Sequence, residues 1–135
     1  MVKNIVKGER IFRIAEKATK SDENIARDLL DTLKANSDSC VGMAANMIGE
    51  NKRIIAVMIG MFAIVMYNPK IVSKSGKYQT EEGCLSLDGK RTCTRYEKIE
   101  VEFEDINFKK RRESFSLFVA EIIQHEIDHL DGIII

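Results

Sequence analysis

Histidine is scarce in this chain: two among 135 residues, beside three cysteines, one proline and no tryptophan. Cys40, Cys84 and Cys93 are too few, and odd in number, for a disulfide scaffold, and they point to a reducing, cytoplasmic setting. Charge of one sign is also lacking. Because 21 Lys and Arg balance 21 Asp and Glu, no long-range field is expected, and neither sequence-specific nucleic-acid binding nor a membrane partner is indicated. The run Lys109-Lys110-Arg111-Arg112 reads as a solvated strand or turn. The longest apolar stretch, residues 54–67 broken by Gly60, is too short to span a bilayer. The opening Met1-Val2-Lys3-Asn4 has neither the apolar segment nor the cleavage site of a signal peptide. No linker, repeat or low-complexity segment divides the sequence. Its length, with 44% hydrophobic and 31% charged residues, suits one globular domain over residues 1–135.

What is present is concentrated near the end. Both histidines lie in Gln124-His125-Glu126-Ile127-Asp128-His129, four apart, with a glutamate beside the first. On a helix this spacing puts both imidazoles on one side, where they can grip one metal ion. The glutamate can then handle protons for water at that ion. The apolar residues Phe115, Phe118, Val119, Ile122, Ile123, Ile127 and Leu130 repeat at helical period, and Gly132 is placed to end the helix. Three polar groups thus face the core side of an apolar helix. Buried without partners they are costly, and a metal satisfies all three. Elsewhere the pattern predicts a helix from near Ser21-Asp22 to near Asn36, and a loop over residues 37–46. It predicts buried strands over 53–58 and 62–67, closed by Asn68-Pro69, and a half-buried strand over 99–104 with an acidic outer face.

Two histidines do not complete a site, since a catalytic metal usually takes three protein ligands and leaves a place for water. Many Asp and Glu residues are candidates, and the segment Glu81-Glu82-Gly83-Cys84-Leu85-Ser86 supplies a more pointed one. Here the sequence resembles the peptide deformylases. Their Glu-Gly-Cys-Leu-Ser motif stands intact at residues 82–86, and Gln-His-Glu-x-Asp-His-Leu is intact at 124–130. Their Gly-x-Gly-(apolar)-Ala-Ala-x-Gln loop is partial, as Cys40-Val41-Gly42-Met43-Ala44-Ala45-Asn46-Met47. The resemblance implies an α+β fold, with antiparallel sheets wrapped around a central helix that bears the histidines. It implies Cys84, His125 and His129 as ligands of one divalent metal, iron(II) naturally, with zinc, nickel or cobalt as substitutes. It gives Glu126 the general acid/base role, with the Leu85 N–H holding the oxyanion. The activity implied is removal of the formyl group from N-formylmethionyl nascent chains, with the ribosome as a possible setting. Val41, Gly42, Glu82, Phe118 and Ile122 are expected to wall a methionine pocket. Arg91, or Arg95, is expected to contact the peptide backbone.

The first motif departs in two places. Met47 stands where the family has a glutamine whose amide donates to the oxyanion, and a thioether cannot donate. Cys40 replaces the first glycine. Asn46 is an alternative donor, though adjacent side chains point apart. The isoleucines at 133–135 are expected to cover the core, pair as an edge strand or mark a self-association surface. Two competing readings are a zinc peptidase of the His-Glu-x-x-His type, disfavoured because no His or Glu follows His129, and a deformylase-like protein that binds formylated or methionine-headed peptides with little turnover.

Overall fold

Strand β2 (Ile54–Ile59) carries apolar side chains along its length because both of its faces are covered. Ile54 and Ala56 point into one core, while Ile55 and Val57 point into another on the opposite side. The same alternation splits Val65 and Tyr67 from Met66, and Met43 from Ala44. A period of two between two apolar layers yields an uninterrupted apolar run in the sequence.

The computed structural model describes all 135 residues. Its elements are α1 (Glu23–Ala35), β1 (Gly42–Ala44), β2, β3 (Phe62–Gly83), β4 (Lys90–Glu104), β5 (Lys110–Ser116) and α2 (Leu117–Leu130). The strands form one antiparallel sheet in sequence order. The first core, with Leu29, Leu33, Ile54 and Tyr67, lies between α1 and the sheet. The second, with Ile55, Val101, Ile123 and Leu130, lies under α2. The architecture is therefore α+β, as the family resemblance implies. No helix is long and apolar enough to cross a membrane.

Helix α1 starts where the Thr19 N–H donates to the Asp22 carboxylate at 2.8 Å. Strand β4 shows the expected alternation, with Ile99, Val101 and Phe103 buried and the glutamates between them facing outward. The segment at 37–46 is not only loop: it contains β1 and opens a 3-10 turn, Ala45–Ile48. Asn68-Pro69 does not close a strand. Asn68 takes φ 52°, the pairing register shifts there, and β3 continues to Gly83. The Asn68 side chain secures this bulge by accepting from Ala18 N–H at 2.8 Å and donating to Ala18 O at 3.0 Å. Phe115 belongs to β5 rather than to the helix. The strand turns into α2 without an intervening loop because Leu117 adopts φ 55°. At the far end Ile135 is buried and Ile134 packs on the first core, so these residues cover it and form no edge strand.

Candidate metal centre

Helix α2 is held at both ends of the His125–His129 turn. Gln124 clamps it to β4, donating to Tyr96 O at 2.8 Å and accepting from Tyr96 N–H at 2.9 Å. Beyond His129 the chain closes in a Schellman motif. The Ile133 N–H donates to Asp128 O at 2.9 Å and Gly132 N–H to His129 O at 3.1 Å, with Gly132 at φ 78°. Phe12 stacks on the His129 ring, centroids 4.2 Å apart. The helix backbone and the His129 ring are therefore fixed before any ligand arrives.

Cys84, just after β3, completes a cluster in which the ligand atoms of Cys84, His125 and His129 all lie within 4.8 Å of one another. The two Nε2 atoms converge to 3.0 Å. His125 Nδ1 meets Glu82 Oε1 at 2.6 Å, which holds a proton on Nδ1 and leaves the Nε2 lone pair facing inward. Two lone pairs facing each other need a proton or a cation between them. Two imidazoles on one tetrahedral ion stand about 3.3 Å apart at ordinary bond lengths, close to what is found. The electrostatics agree. Burial opposes charge at His125, yet hydrogen bonds to Cys84 and Glu82 push its imidazole up to about 10, so a proton takes that place when no metal does. Burial, then His125, pushes His129 down to about 3, keeping it neutral. One thiolate and two imidazoles suit iron, cobalt, nickel or zinc rather than magnesium or calcium.

Glu82 is anchored in turn. Arg95 grips both its oxygens, Nε to Oε2 at 2.9 Å and Nη2 to Oε1 at 2.7 Å, and reaches Asp128 Oδ2 with Nη1 at 2.7 Å. Although burial opposes it, these bonds from His125 and Arg95 hold the Glu82 carboxyl well below the usual carboxylate range.

Glu126 lies on the other side of His125, only 4% exposed, with Oε1 lacking any partner. Burial pushes its carboxyl up to about 7, against the pull of His125. A carboxyl group near neutrality can both take and return a proton at physiological pH. Gly42 leaves the room it needs: a Cβ there would stand 2.5 Å from Ile122 Cγ2 and 3.0 Å from Glu126 Oε2. Gly42→Ala is therefore expected to cost about 1–3 kcal/mol from overpacking and to displace the carboxylate. Urea unfolding and kcat check the two effects together.

The cluster opens on a cavity of about 610 Å³. The polypeptide deformylase family matches residues 3–135. The chain is 51% identical to a peptide deformylase of Clostridium beijerinckii, over 100% of both sequences. A crystal structure of a peptide deformylase from Legionella pneumophila superposes with TM-score 0.87 at 34% identity, covering 99% of this chain and 83% of that one. A Met-Ala-Ser-bound class I type b peptide deformylase from Acinetobacter baumannii superposes with TM-score 0.87 at 28% identity, covering 99% and 96%. The chain belongs to the polypeptide deformylase family. Peptide deformylases are metal-dependent and act on N-formylmethionyl nascent peptides. A binder without turnover finds no support among these relatives.

For a deformylase, the residues singled out in the sequence are unevenly placed. Val41, Gly42, Phe118 and Ile122 line the cavity with Cys84, His125 and Glu126. The N–H of Leu85 has no acceptor within the chain and is free to serve a ligand. Glu82 touches the cavity, but its carboxylate is committed to His125 and Arg95, so it orients a histidine rather than a substrate. Arg91 is not part of the cavity wall. It faces Glu9 at 3.7 Å, on the strand position opposite Glu82. Arg95 is buried in its carboxylate pairs and cannot meet a peptide. Asn46 donates to His129 O at 2.8 Å, pointing away from the cavity, while Met47 lines it. Sequence reasoning missed Phe12 and the Asp128–Arg95 pair. Asp128 had a signal, as the second acid within the last motif. Phe12 had none, being distant in sequence and outside any motif.

Proposed function

We propose that this deformylase holds one divalent ion with Cys84, His125 and His129, iron(II) in the cell, and removes the formyl group from N-formylmethionyl peptides by hydrolysis. The observation that carries the reading is one convergence: a thiol and two imidazoles beside a buried, unpartnered Glu126 carboxylate at the base of the cavity. When bound, the ion supplies Lewis acidity and makes nearby water more acidic. The Glu126 carboxylate accepts a proton from the attacking water and returns it to the leaving amine. The Leu85 N–H donates to the oxygen on which negative charge develops. Val41, Phe118 and Ile122 offer apolar surface to a methionine side chain, and Phe118, 61% exposed, has area to cover. The Met-Ala-Ser complex of the Acinetobacter baumannii relative supports a methionine-headed substrate here. Residues 1–135 act as one domain, in the cytoplasm, on chains emerging from the ribosome.

The test is formate release from formyl-Met-Ala-Ser, run anaerobically with metal analysis. Stoichiometric metal and turnover are expected. Protein that retains a divalent ion and releases no formate would sink the reading. Met47 adds a second expectation. A missing oxyanion donor costs roughly 10²–10³ in rate, and Asn46 is turned away. Met47→Gln should therefore raise kcat/KM by about tenfold or more, measured on the same peptide.

A further inference from the structure

Met47 sits on the 3-10 turn Ala45–Ile48, 2% exposed, between the first core and the cavity. Its neighbour Asn46 is turned toward the His129 carbonyl. Met47 instead lines the cavity, with its Sδ 3.9 Å from Cys84 Sγ, whose thiol is placed to donate to it. Two sulfurs bound to one tetrahedral ion at ordinary bond lengths stand about 3.8 Å apart. The sulfur pair already has the spacing that a shared ion imposes.

We infer that the Met47 thioether is a fourth, weak protein donor to the metal held by Cys84, His125 and His129. Two imidazoles, a thiolate and a thioether form a soft set that favours copper(I) and other soft ions over hard ones. An unbranched side chain with three rotatable bonds can approach the ion and withdraw again. With an ion bound, the thioether would fill the position left by Cys84, His125 and His129 and could withdraw to admit a substrate oxygen. A glutamine at 47 would donate a hydrogen bond to that oxygen instead.

The inference rests on the three-ligand reading above, and X-ray absorption on the zinc-loaded protein separates the two. Two sulfur and two imidazole neighbours are expected in the wild type, with one sulfur in Met47→Leu. One sulfur in the wild type overturns the thioether assignment and leaves Cys84 in place. No sulfur at all overturns both. Titration with copper(I) against a competing chelator gives a second readout. Met47→Leu is expected to bind about tenfold more weakly, the lower end of what groups supporting a metal site contribute. Equal affinity in the folded variant contradicts the inference. Selenomethionine-labelled wild type needs no substitution: a metal neighbour at the selenium edge is the expected result, and its absence overturns the assignment.

Discussion

Glu126→Gln is expected to lower kcat for formyl-Met peptides by at least roughly 10²–10⁴, the range of a lost general acid/base, with metal content unchanged. The amide keeps the shape of the side chain but cannot accept and return a proton near neutral pH. Glu126 is not among the three clustered ligand atoms, so removing its charge leaves the metal donors intact. Stability should move the other way. Burial raises the Glu126 carboxyl from its ordinary value of 4.5 to about 7 in the fold. A raised carboxyl stabilises the fold only while protonated, and that contribution is lost as pH rises from about 4.5 through about 7. Above pH 7 the folded chain carries a buried, unpartnered anion. Metal-stripped Glu126→Gln should therefore melt higher than metal-stripped wild type at pH 8, with the gap closing toward pH 5. A variant that keeps full formate release would remove Glu126 from the reaction. Coupled loss of metal and activity would instead make it a ligand.

The residues of the centre were more legible than the frame that holds them. His125, Glu126 and His129 sit four residues or fewer apart on one helix, so local geometry alone brings them together, and period and spacing report such geometry directly. Cys84 lies 41 residues before His125, and only the Glu-Gly-Cys-Leu-Ser resemblance pointed to it. The apolar run at 54–59 marked a strand covered on both faces, and α1 and α2 supply the covers. The misplaced boundaries had local causes. Asn68-Pro69 carries turn chemistry, yet long pairing between β3 and β4 absorbs it as a bulge. Phe115 continues the helical stripe by count, but pairing with Ile99 keeps it in β5. Arg95 and Glu82 read as surface or substrate charges because nothing in the sequence shows that their side chains meet diagonally between β3 and β4.

That pair sets the second large effect. Arg95→Ala is expected to destabilise the protein by about 3–5 kcal/mol, since removing one partner leaves the others buried and uncompensated. Arg95 is 3% exposed and Glu82 8%, and the guanidinium meets Asp128 as well. Exposed ion pairs such as Arg112–Glu102 should cost well under about 1 kcal/mol by comparison. The metal centre should feel the loss too. Without Arg95, Glu82 is free to rotate from His125 Nδ1, and the ring loses the contact that aims Nε2 at the cluster. Loss of such support typically weakens metal binding by about 10–100-fold. Urea unfolding of metal-free protein isolates the first effect, and chelator competition with zinc isolates the second. The double variant Glu82→Gln/Arg95→Met should recover most of the stability, because the buried Glu82 charge goes with its partner and only Asp128, 25% exposed, loses a contact, while metal affinity stays reduced, because a neutral amide replaces the carboxylate at Nδ1. Recovery of both would make Arg95 a folding residue alone. Recovery of neither would mean that Asp128, left without its partner, carries the cost.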